Sequence, residues 1–344
     1  MMNREGGNKV PAKRFYSEWH GHRVEHLEAL LPYLREASDS LIWTAGDSSL
    51  DNKYWFNDQK PAVGVYRDVL DPPVSKCDVT YWLNYLAQNL ASRTVSIAAI
   101  NTAVEATTLN ERSYKLRPQD RFLRNNIRPN DILIVSVGGN DVALCPTPCT
   151  IVSMLGVLSL PVTCVENGFS CGVAPCNDCC CGCGPSALSC ACTCPPCLGY
   201  FRSLFGVRVQ KYIEALTSKT KPKKILVCMI YYPDEAQVPS WAGPALGALG
   251  YNSNPQKLQM LIRKAFDEAT STIRIKGSEV IPVPLFNALD GKNSNDYIAR
   301  VEPSAAGGRK MAEFLLDIID SSSGTLAAEN RVNAPTTGLM SERK

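Results

Sequence analysis

The stretch Leu41-Ile42-Trp43-Thr44-Ala45-Gly46-Asp47-Ser48-Ser49-Leu50 decides the fold: an apolar run meets a glycine, an aspartate and two serines. An unbroken run of this length predicts a strand buried on both faces, and Gly46-Asp47 predicts a sharp turn where the chain leaves it. Ser48 is therefore expected just beyond the carboxyl end of a buried strand. Working outward, residues 95–100, 132–137, 225–231 and 280–285 are four more short apolar runs, each bounded by Gly, Pro, Asn or Asp. Helical spacing fills the intervals at residues 22–37, 81–90, 120–126, 200–216 and 257–273, and residues 305–319 close the fold. In the first of these, Val24, Leu27, Leu30, Leu31 and Leu34 repeat at helical intervals. Helix alternating with strand predicts a five-stranded parallel sheet covered on both faces.

Composition narrows the functions available. The chain has 344 residues with 45% hydrophobic and 20% charged side chains, a globular balance with room for one or two domains. A net charge of +3 gives no field that would select nucleic acid. The longest apolar stretch, residues 151–162, contains Gly156 and Pro161 and is too short to span a membrane. The N-terminus carries charge and glycine where a signal peptide needs an apolar run, so a cytoplasmic location is expected, with an oxidising compartment as the alternative that the cysteine content raises. Nothing in the sequence sets an oligomeric state. Only three histidines occur, His20, His22 and His26, all within one short segment.

Chemistry in an open α/β sheet belongs at the carboxyl edge of its strands, where the loops diverge. The first strand delivers Gly46-Asp47-Ser48 to that edge, and the third delivers Gly138-Gly139-Asn140-Asp141. A serine hydroxyl attacking a carbonyl creates an oxyanion, and an Asn amide beside backbone N–H groups is a suitable set of donors. Each motif alone reads as a Gly/Asp turn with a capping side chain; at the ends of strands one and three together they point to an active site.

With these blocks the sequence resembles the SGNH, or GDSL-type, hydrolases. Gly46, Asp47, Ser48 and Leu50 match the first block with Ser49 inserted, and Gly138 to Asp141 match the third. Residues 101–108 look like the second block, with Ala106 where the family has glycine; a backbone N–H is what the position supplies, so alanine can serve there if its φ/ψ is ordinary. Glu302-Pro303-Ser304 followed by Gly307-Gly308 resembles the fifth block, Asp-x-x-His-Pro-Ser, with Glu302 at the histidine and Ala299 at the aspartate.

The resemblance implies a flavodoxin-like three-layer α/β/α sandwich and a serine esterase needing no cofactor, acting on a small-molecule or lipid acyl ester. Ser48 would be the nucleophile, with its own N–H, the Ala106 N–H and the Asn140 amide binding the oxyanion and Asp47 and Gly139 in support. Three readings of the base stand side by side. Glu302 is the base, with Asp296 supporting it; or His20 or His22 reaches the site from the helix before the first strand; or the site is degenerate and the fold binds without turnover.

Thirteen of the 15 cysteines lie between Cys145 and Cys197, inside an insertion spanning residues 145–199 that leaves the sheet just after Asn140. Cys176-x-x-Cys179 and Cys194-x-x-Cys197 have nearly the spacing of a structural zinc site, and disulfides are an equal alternative. The expected organisation is an N-terminal extension and helix over 1–38, a hydrolase domain over 39–320 interrupted by this lid, and a flexible tail over 321–344.

Overall fold

The computed structural model describes residues 9–17, 19–89, 95–159, 161, 163 and 198–332. Its centre is a parallel sheet of β1 (Ser40–Gly46), β2 (Ile97–Asn101), β3 (Ile132–Ser136), β4 (Lys224–Met229) and β5 (Glu279–Pro284). Their order is β2-β1-β3-β4-β5, the doubly wound arrangement expected of a flavodoxin-like sheet. All five strands fall where the apolar runs placed them. In β1, Leu41, Trp43 and Ala45 enter one core while Ile42 enters the other, as alternate side chains of a strand covered on both faces must.

Helix α1 (Val24–Ala37) covers the first face by burying Leu27, Leu30 and Leu34. Residues of α2 (Val79–Asn89) and α3 (Ala305–Val332) fill the second, with Val79 and Leu83 meeting Met311, Leu315 and Ile319. Helix α3 runs past the boundary placed at Ser321, and residues beyond Val332 lie outside the described ones. The segment before α1 is no free extension. Val10–Pro11 pairs with Leu70–Asp71, and Phe15 and Tyr16 are buried. Among the described residues no helix is long and apolar enough to cross a membrane.

Because β1 and β3 are neighbours in parallel register, their carboxyl ends emerge side by side, Gly46 opposite Ser136. The turns carrying Ser48 and Asn140 must therefore face each other.

Candidate active site

Gly46 has φ +134°, and a Cβ there would lie 1.7 Å from the Ser136 carbonyl oxygen, so only glycine lets β1 turn so tightly against β3. The turn is fastened by Asp47 N–H donating to Ser136 O at 3.1 Å. It sends the two serines different ways. The Ser49 hydroxyl is held between Asp47 Oδ1 at 2.7 Å and Ser136 Oγ at 2.6 Å. Ser48 Oγ instead donates to Glu302 Oε1 at 3.4 Å, across 254 residues of chain.

Glu302 is presented by a small hairpin in which Tyr297–Ile298 pairs antiparallel with Glu302–Pro303. Ala299 and Arg300 make its turn at φ +48° and +68°. The buried Arg300 guanidinium secures this turn by donating to Asp234 O and to Asn252 Oδ1 at 2.8 Å. From the other side, Asn52 Nδ2 donates to Pro303 O at 2.9 Å. Glu302 is only 3% exposed, and its Oε2 has no hydrogen-bond partner among the described residues. Burial pushes it up to about 8, opposed by the Ser48 hydrogen bond and helped by the carboxyls of Glu105, Asp47 and Asp51. Burial likewise raises Asp47 to about 6, with the Ser49 hydrogen bonds opposing.

On the opposite side, Gly138 at φ +109° starts the short helix Gly139–Ala143 that carries Asn140. One proton of the Asn140 amide goes to Thr107 O at 3.0 Å, leaving the other to donate elsewhere. The backbone N–H groups of Ser48 and Ala106 have no protein acceptor among the described residues. Asp47, Ser48, Ser49, Gly139, Asn140 and Glu302 form the polar end of one cavity of about 110 Å³, whose remaining walls include Tyr231 and Trp241. Three chain segments meet here because polar side chains lock them together. Arg112, buried, donates to Gly46 O and Thr107 Oγ1, both at 2.6 Å, and Asp141 accepts from Leu109 and Asn110 N–H at 2.7 and 2.8 Å.

No family model matches the chain, and no curated protein is similar to it in sequence. Solved structures do resemble it in outline. An acetyl xylan esterase from Geobacillus stearothermophilus aligns at 11% identity over 82% of this chain and 94% of that one, with a TM-score of 0.38. An extracellular lipase from Streptomyces rimosus aligns at 12% identity over 82% and 99%, with a TM-score of 0.37. A lipase from a goat rumen metagenome aligns at 12% identity over 81% and 96%, with a TM-score of 0.38.

The structure does not bring every candidate to Ser48. His22 is buried against Phe15, its Nδ1 paired with Phe15 O at 2.8 Å, and burial holds its pKa well below the usual imidazole value. It is a core residue. His20 is exposed, but its Nδ1 pairs with Glu105 O at 3.1 Å and its Nε2 accepts from the Trp19 indole. Both ring nitrogens are occupied away from Ser48. Asp296 does not support Glu302 either: its carboxylate binds Lys310 at 2.6 Å and Asn293 at 3.3 Å, fixing the start of α3. Residues 241–251, beside the cavity, are packed, with Ala242, Leu246 and Tyr251 buried together. Cys176, Cys179, Cys194 and Cys197 lie outside the described residues.

Ala106 does not meet the condition of an ordinary backbone, since its φ is +53°. The left-handed conformation costs an L-residue about 1–2 kcal/mol, and glycine returns about half of that gain through its freer unfolded chain. Ala106→Gly is therefore expected to stabilise the protein by up to about 1 kcal/mol, read as a higher midpoint in urea unfolding. A lower midpoint would show that the methyl group is packed to advantage. Sequence reading missed Glu105 and Arg112 altogether. Glu105 is 2% exposed, with an unpartnered Oε2 and a carboxyl that burial raises to about 8.

Proposed function

We propose that the protein hydrolyses carboxyl esters with Ser48 as nucleophile and Glu302 as its base. The observation that carries this reading is the contact of Ser48 Oγ with the buried Glu302 carboxyl at 3.4 Å, in a cavity that Asn140 shares. Ser48 Oγ attacks the acyl carbon while its proton passes to Glu302 Oε1. The negative charge moves to the carbonyl oxygen, which the free Asn140 amide proton and the Ser48 and Ala106 N–H groups are available to bind. Collapse of this intermediate breaks the bond to the alcohol, and Glu302 returns the proton to the departing oxygen. A water molecule then attacks the acyl-serine, giving its proton to Glu302, and the carboxylic acid leaves as Ser48 is restored. Each half-reaction uses one proton carrier, so no histidine is required.

A fluorophosphonate probe tests the reading directly, because it phosphonylates only an activated serine in such a setting. Labelling of the intact protein, mapped by peptide mass spectrometry, is expected at Ser48 and to be faster at pH 9 than at pH 6. Labelling confined to another serine would move the nucleophile elsewhere.

A further inference from the structure

The catalytic cavity does not end at its apolar wall. A second chamber of about 50 Å³ adjoins it, and Val142, Ile230, Leu249, Leu258 and Ile262 line both. Every described side chain that lines the second chamber is apolar. Its far side is closed by the helix Pro148–Ser159, the first part of the insertion, through Met154, Val157 and Leu158. That helix is pinned at both ends: Thr150 Oγ1 is hydrogen-bonded to the Tyr200 hydroxyl, and Lys257 Nζ donates to Leu158 O at 2.6 Å. A space without polar partners holds water poorly and favours hydrocarbon.

We propose that this chamber receives the acyl chain of the ester, making medium-chain acyl esters the preferred substrates; the inference rests on the ester hydrolysis proposed above. The orientation follows from where the proton must go. Glu302 hands a proton to the alcohol oxygen, and Glu302 with its neighbour Val301 lines the catalytic cavity alone, so the alcohol leaves on that side. Val142, two residues beyond the oxyanion donor Asn140, is shared with the chamber, so the acyl chain extends there. A chamber of about 50 Å³ holds about four heavy atoms beyond those over Ser48. The optimum acyl length is then about six to eight carbons.

The test is kcat/KM of the full-length protein across p-nitrophenyl esters from acetyl to dodecanoyl, beside a series of acetate esters with lengthening alkyl alcohols. Each added acyl methylene is expected to raise kcat/KM by about three- to fourfold until the chamber fills, with a decline beyond. Met154→Trp, which fills the chamber from the insertion helix, is expected to move the optimum to shorter chains, read as a lower ratio of octanoyl to acetyl kcat/KM. Met154→Ala is expected to move it to longer ones. A flat acyl series with measurable acetyl turnover overturns the chamber's role and leaves ester hydrolysis standing. So does a dependence on alcohol length instead of acyl length, or a Met154→Trp loss equal at every chain length. Absence of turnover with every ester overturns both readings together.

Discussion

Ser48→Ala is expected to reduce ester turnover by about 10⁴-fold or more, the loss seen when the nucleophile of an acyl-transfer site is removed. The residual rate would come from the Asn140 amide and backbone donors, which still polarise the carbonyl for direct attack by water. Folding should be untouched, because the hydroxyl makes a single 3.4 Å contact, with Glu302. The adjacent serine supplies the control. Ser49 lies in the same turn and on the same cavity, but its hydroxyl is committed to Asp47 and Ser136. Ser49→Ala should therefore cost stability by about 1 kcal/mol through the lost hydrogen bonds and keep most of the activity. Steady-state kinetics on one activated ester, with urea unfolding of both variants, separates the two. Full turnover in Ser48→Ala would end the assignment, and a collapse in Ser49→Ala alone would transfer it to the neighbouring hydroxyl.

What the sequence revealed and what it concealed divide along a physical line. Strands and helices are encoded locally, by side chains that alternate or recur every third or fourth position, and so β1 to β5 were readable before any contact was known. The turns carrying Ser48 and Asn140 were readable for the same reason. Gly46 and Gly138 are demanded by positive φ at strand ends, and the parallel pairing of β1 with β3 then sets the two turns side by side. Glu302 was found only because Pro303, Ser304 and Gly307 kept its place in the fifth block. The structure supplies a reason for one of these, since a Cβ on Gly307 would lie 2.1 Å from Asp296 O.

Arg112 and Glu105 left no such trace. A buried guanidinium bonded to Gly46 O is selected by a partner 66 residues away, and no periodicity records that. The histidines failed in the opposite direction. His20 and His22 are candidates by their place at the start of the helix before β1, whereas stacking on Phe15 and the carbonyls of Phe15 and Glu105 satisfy them where they stand. At Ala106 residue type alone does not reveal the left-handed φ of +53°.

Glu302→Gln is expected to lower kcat/KM by about 10²–10⁴-fold, since the amide fills the same space and can accept a hydrogen bond from Ser48 but cannot take its proton. The pH dependence carries the sharper signature. Burial raises the Glu302 carboxyl to about 8, and only the ionised form can act as base. Below about pH 8, kcat/KM should fall roughly tenfold per unit, an acid limb far above an ordinary carboxylate and distinct from the imidazole value near 6.5. A limb near 6.5 would mark an imidazole base instead, and unchanged turnover in Glu302→Gln would exclude the carboxylate. Stability should move the other way. Asp47, Asp78, Glu105 and Glu302 are raised by burial to about 6, 7, 8 and 8, so between about pH 4 and 8 the folded chain holds protons that the unfolded chain releases. These four carboxyls then lower the unfolding free energy as pH rises through that window, while the buried His22, held neutral below its usual range, acts in the opposite sense below about pH 6.5. Replacing Glu302 with glutamine removes one of these carboxyls, so the variant should melt higher than the wild type at pH 8.5 and no differently at pH 4.5. Thermal melts at the two pH values measure this, and a variant less stable at pH 8.5 would show that Glu302 is ionised there at no cost and is not held as a reluctant base.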